Sequence, residues 1–212
     1  MAIIAKDTKK EYPKCPKGQT TGICVDVIGP WRAVDDYDPK SPYLIQKIAY
    51  VWQVNKKRED GKPFELSRQF SLSFGKKANL RKFLGAWRGE AITDKEAKAG
   101  LDVAVFKGQV GLLTVEHAEK RAGGIRADVT NISPLPEEMT AITASPYTRA
   151  DYWAKQIKED EDVATRFEQT QMTEQAAQEE RLEDFPAALS GDSAGPFTSS
   201  DDLPFAPDAG IL

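Results

Sequence analysis

The segment FELSRQFSLSF (64–74) constrains the fold more than any other part of the chain. Phe64, Leu66, Arg68, Phe70, Leu72 and Phe74 alternate with Glu65, Ser67, Gln69, Ser71 and Ser73. Successive side chains of a strand point to opposite faces, so this alternation specifies a β-strand. The period changes at once afterwards. In GKKANLRKFLGAWRG (75–89), Leu80, Phe83, Leu84 and Trp87 fall at helical spacing, with Lys76, Lys77, Lys82 and Arg88 on other faces and Gly89 placed to close the helix.

The flanking segments extend this frame. LIQKIAYVWQVN (44–55) carries Ile48, Tyr50, Trp52 and Val54 at period two, and the charged turn KKREDGKP (56–63) joins it to the 64–74 strand as a hairpin. GQTTGICVDVIG (18–29) is β-branched and apolar and reads as the first strand, whereas GPWRAVDDYDPKSPY (29–43) reads as a Pro- and Asp-rich loop. In TDKEAKAG (93–100), Thr93 precedes Glu96 by three residues, a capping box that opens a second short helix. GQVGLLTVEHAEK (108–120) and GIRADVTNISPL (124–135) are strands meeting at RAGG. Strand–strand–strand–helix–strand–strand is the order of a mainly β, five-stranded OB-fold-like barrel with its helix between strands 3 and 4. A generic five-stranded α+β domain is the alternative, and the helix position favours the barrel.

The chain beyond this frame differs in composition. Three parts are expected: a domain over 1–136, an acidic and partly helical extension over 137–183, and a disordered acidic tail over 184–212. In the extension Trp153, Ile157, Val163 and Phe167 are sparse and form no continuous stripe. The tail has no Lys or Arg, and 11 of its 29 residues are Pro, Gly or Ser, so it cannot bury enough surface to fold alone. Charge divides in the same way. Up to Arg126 there are 24 basic and 15 acidic residues, and from Ala127 onward 5 and 18, behind an overall net charge of −4. A basic domain suits a polyanion, and an acidic tail suits a basic partner or the domain's own face.

Composition bounds the chemistry. MAIIAKDTKK lacks the pattern of a signal peptide, and no apolar run reaches membrane-span length, so a soluble, cytoplasmic protein without membrane contact is expected. Cys15 and Cys24 are then reduced thiols, and two Cys with the single His117 do not make a zinc site. No nucleophile–His–carboxylate set can be assembled, and no phosphate-binding Gly-rich loop is present. Asp35, Asp36 and Asp38 offer carboxylates to a metal, which would make a metal-dependent nuclease, but in a Pro-rich loop they fit a solvated turn better. Neither catalysis nor a cofactor is expected.

Nucleic-acid binding fits better. Ten basic residues against three acidic ones lie between Lys56 and Arg88. Single-strand binding combines aromatic rings that stack on bases with cations that follow phosphates. In an OB barrel the ligand crosses strands 2 and 3 between the first and last loops. Those places hold Trp31, Arg32, Tyr37 and Tyr43; Lys56, Lys57, Arg58 and Arg68; and Lys120, Arg121 and Arg126. Trp31, Tyr37 and Tyr43 are the stacking candidates, the cations the phosphate contacts, and Tyr50, Trp52 and Phe70 are assigned to the core.

Two features carry a family resemblance. One runs from GKPFELSRQFSLSF through KKANLRKFLGAWRG to GLLTVEH, a hairpin, a basic helix and an apolar strand; the other is the tail's Asp201, Asp202, Leu203, Pro204 and Phe205. With them the chain resembles bacteriophage-type single-stranded DNA-binding proteins. The resemblance implies an OB-fold, sequence-tolerant coating of single strands in replication, recombination and repair within the bacterial host cytoplasm, and a tail whose Asp-Asp-Leu-Pro-Phe tip recruits partner enzymes. In that family the Phe ends the chain, whereas Phe205 is followed by APDAGIL, which puts the usual tip recognition in doubt. Oligomerisation is left open. The competing expectation is a non-catalytic adaptor or inhibitor of a nucleic-acid enzyme, with its acidic region mimicking DNA.

Overall fold

The computed structural model describes residues 13–35, 37–119 and 123–183. It is mainly β. Strands β1 (Gly18–Asp35), β2 (Tyr43–Lys57), β3 (Pro63–Ser71), β4 (Val110–Glu119) and β5 (Ile125–Ser133) form one antiparallel sheet in the order β3-β2-β1-β4-β5. Helices α1 (Asn79–Arg88) and α2 (Asp94–Ala99) and a 3-10 turn (Val103–Phe106) lie between β3 and β4 in the chain, and α3 (Asp151–Glu183) follows β5. The chain divides into two compact units, Met1–Gln169 and Thr170–Leu212. In the second unit the described residues continue α3, and the tail with Asp201, Asp202, Leu203, Pro204 and Phe205 lies outside the described residues.

The alternation over 64–74 produces the sheet face it specifies. Phe64, Leu66 and Phe70 are buried with Ile48, Tyr50, Trp52 and Val54 of β2, and α1 closes this face with Leu80, Phe83, Leu84 and Trp87. Each such side chain contributes roughly 1.5–3 kcal/mol of burial. Tyr50 stacks on Trp52 and meets Phe70 and Trp87 edge-on, so these rings are core, as assigned from the pattern. Gly89 takes φ 79° and returns its N–H to Ala86, ending α1 where a side chain would be strained. Thr93 and Glu96 exchange both bonds of the capping box.

β1 corrects one expectation. Residues 29–35 are not a loop but continue the strand, with a register shift between Ile28 and Trp31. A bulge absorbs Pro30, whose missing N–H costs nothing where the ladder is interrupted. Gly29 has φ 113°, and a Cβ there would stand 2.8 Å from the Lys47 carbonyl, so glycine is required.

The opposite face of β1 and β2 carries a second core. Val25, Ile28, Trp31, Ala49 and Val51 are covered by Trp153, with Tyr147, Ala150 and Ile157 around it. The connection into α3 is tied down by polar groups. Gln53 accepts from the Ser145 N–H at 2.8 Å, and Arg149 donates to both oxygens of the buried Asp26 at 2.8 and 3.1 Å. The compact unit therefore runs well past Pro136, and the first turns of α3 belong to it.

Candidate nucleic-acid interface

The anticipated stacking residues separate. Trp31 is 2% exposed and cannot stack on a base. It sits edge-on to Trp153 with centroids 6.2 Å apart, and its indole N–H donates to Asp160 at 2.8 Å. Tyr37 and Tyr43 stand on the arm between β1 and β2 and are 91% and 57% exposed. The Asp35 carboxylate accepts from the Tyr37 N–H and the Tyr43 hydroxyl, and Asp38 accepts from the Lys40 N–H, so both carboxylates serve the turn. Asp36 lies outside the described residues. Among the described residues no three His, Cys, Asp or Glu side chains are grouped to hold a metal ion.

The basic residues separate too. Arg32 donates to Glu168 at 2.8 Å and to Thr165 at 3.3 Å, and Lys47 lies 3.7 Å from Asp160. Acidic side chains of α3 thus occupy the cations of the outer β1–β2 face. At the β2–β3 turn, Lys56 donates to the carbonyls of Pro16 and Lys17, and Arg58 lies 3.6 Å from Asp60. Among the described residues Lys57 makes no ion pair. The arm at Tyr43 and the turn at Lys57 are opposite ends of β2, about 46 Å apart along the strand at 3.3 Å per residue. They are not one site. Lys120 and Arg121 lie outside the described residues.

Arg68 and Arg126 are brought together. Arg68 sits on β3 at the register of Tyr50, half-buried, with its guanidinium over the rings of Phe70 and Phe83 at 5.1 and 5.2 Å. One of its nitrogens donates to the carbonyls of Val129 and Thr130 on β5, each at 2.7 Å. It therefore links the two strands at the ends of the sheet order, and burial pushes its pKa below the usual guanidinium value. Two clefts open beside it. One of about 760 Å³ is lined by Ser67, Gln69, Arg126, Asp128, Thr130 and Tyr152. The other, of about 650 Å³, is lined by Gln69, Ser71, Ser73, Lys76, Lys77 and Asn79. Arg68 and Gln69 border both, so the clefts lie side by side along β3.

Lys76 and Lys77, read from the sequence as outer faces of the helix, instead precede it, because α1 begins at Asn79. That places them in the connection after β3, where both border the cleft beside Arg68. The Lys76 side chain is 82% exposed and lies 3.4 Å from Asp94, and Lys77 makes no ion pair among the described residues. The first turn of α1 beside them has no carboxylate. Arg126, in contrast, donates to Asp128 at 2.9 Å.

No helix among the described residues is long and apolar enough to cross a membrane. No protein-family model matches the chain, and no curated protein matches it significantly.

Proposed function

We propose that this protein binds single-stranded DNA without sequence preference and without catalysis, as a replication and recombination protein of the bacteriophage type. The observation that carries this is the pair of adjacent, cation-bordered clefts around Arg68 in a domain with 24 basic against 15 acidic residues up to Arg126. Polar clefts bordered by cations suit a phosphodiester chain, and the exposed rings of Tyr37, Tyr43 and Tyr152 suit bases. The strand order β3-β2-β1-β4-β5, the helix between β3 and β4, and the Arg68 link from β3 to β5 support an OB-type barrel closed at that seam. In this account the acidic tail with its Asp-Asp-Leu-Pro-Phe sequence recruits replication or recombination enzymes, the Phe filling an apolar pocket and the carboxylates meeting basic residues around it.

One observation favours a second function, that of a DNA-mimicking interaction protein. The described helix α3 carries ten carboxylates and four cations, and it already occupies Trp31, Lys47 and Arg32. Fluorescence anisotropy with labelled oligo-dT and with a duplex of equal length separates the two. Single-strand binding predicts clear preference for oligo-dT; equal or absent binding of both favours the mimic.

A further inference from the structure

We infer that the bound strand follows the seam between β3 and β5, with phosphates on Arg126, Arg68, Lys76 and Lys77, and does not cross the outer face of β1 and β2. This rests on the single-strand-binding assignment and adds a path to it. The outer face is closed: Trp31 is buried against Trp153, and Lys47 and Arg32 are held by Asp160 and Glu168. Displacing α3 there would bare Val25, Ile28 and Val51 together with Trp31. The seam asks for no displacement. Its two clefts, of about 650 and 760 Å³, are open and both border Arg68 and Gln69.

The lining suits an extended polyanion. Ser67, Gln69, Ser71, Ser73 and Asn79 supply neutral donors, and the cations stand along the length rather than at one point. Two carboxylates, Glu65 and Asp128, border the same end, and Asp128 is already engaged by Arg126. Tyr152, 53% exposed at the rim of that end, offers a ring for one base. Arg68 forms the floor. Its guanidinium is fixed by two carbonyls and two rings, so it meets a phosphate with little further ordering.

The test uses the full chain and a fluorescent oligo-dT across a salt series. Each single-strand phosphate contact contributes a slope of about 0.7 in log K against log salt, so losing two lowers the slope by about 1.4 and the affinity about 25-fold near 0.1 M salt. That is the result expected of K76A/K77A, whose side chains are exposed and whose loss leaves Asp94 bonded to Arg81. The charge-matched variant K95A/K98A, on the exposed side of α2, is expected to lose less than about three-fold, through long-range charge alone. Unchanged affinity of K76A/K77A, or equal losses in the two variants, overturns the seam path while wild-type binding still upholds single-strand recognition. A wild-type chain that does not bind oligo-dT overturns the functional assignment, and the path with it. Poly-glutamate competing as well as oligo-dT at equal charge would make the seam a site for acidic peptides and overturn the nucleic-acid occupant.

Discussion

Trp153→Ala tests whether the first turns of α3 are part of the folded domain. Trp153 is 2% exposed and meets Trp31, itself 2% exposed, edge-on. Truncating a buried Trp to Ala costs about 3–5 kcal/mol, including roughly 0.5–1.5 for the aromatic pair. Against a total stability of about 5–15 kcal/mol this is a large fraction. With a urea slope of about 2 kcal/mol/M, the unfolding midpoint falls by about 2 M. The assay is urea denaturation followed by tryptophan fluorescence and far-UV circular dichroism together. Coincident transitions at the lowered midpoint are expected, because the outer core and the core under α1 share β1 and β2. An unchanged midpoint, with only an early loss of helical signal, would refute the reasoning and make α3 a detachable appendage.

Four further outcomes follow from the contacts described above. A chain ending at Gln169 keeps Trp153, Ala164 and Glu168 and is expected to melt with the full chain, whereas one ending at Pro136 bares Trp31 and aggregates or melts earlier; equal melting of the two would contradict the second core. Removing 170–212 deletes nine carboxylates and one arginine, so the Gln169 form should bind oligo-dT tighter at low salt, a gain that vanishes at high salt; weaker binding would exclude competition by this segment. Arg68→Ala strips the Val129 and Thr130 carbonyls of their donor and removes a cation from two rings, a loss of about 2–4 kcal/mol in chemical denaturation, and a change within about 0.5 would deny the β3–β5 link its role. Bonds from Arg88, and then from Thr93, lower the Glu96 pKa from 4.5 to about 2. A depressed carboxylate stabilises the fold fully above 4.5 and loses that contribution as pH falls toward 2, so Glu96→Gln should flatten stability against pH in this window.

The sheet was legible in the sequence because period-two alternation survives wherever one face is buried. Phe64, Leu66 and Phe70 are the clear case, and Leu80, Phe83, Leu84 and Trp87 show the helical equivalent. Residues 29–35 were not legible as strand, because Gly29 and Pro30 look like breakers until a bulge supplies the geometry they need. The covering of Trp31 was hidden for a different reason. The face of α3 turned to the sheet is Trp153, Ile157, Asp160, Ala164 and Glu168, at spacings of four, three, four and four. Two of these positions hold carboxylates and one holds alanine, so the stripe looks sparse by hydropathy. It becomes continuous only when Asp160 is matched to the Trp31 indole and Lys47, and Glu168 to Arg32, more than a hundred residues away. The candidate site moved for the same reason. Trp31 and Arg32 were selected by residue type and loop position, and both were taken by a long-range partner, while Arg68 kept its place because its strand face was fixed locally.

The most direct test of the central claim is the salt dependence of oligo-dT binding by the intact protein. If the four seam cations each neutralise one phosphate, log K falls with log salt at a slope of about −2.8. A slope in that range, with duplex bound more weakly at every salt concentration, is the predicted result. A flat salt dependence, or equal affinity for duplex, contradicts single-strand recognition by this basic domain.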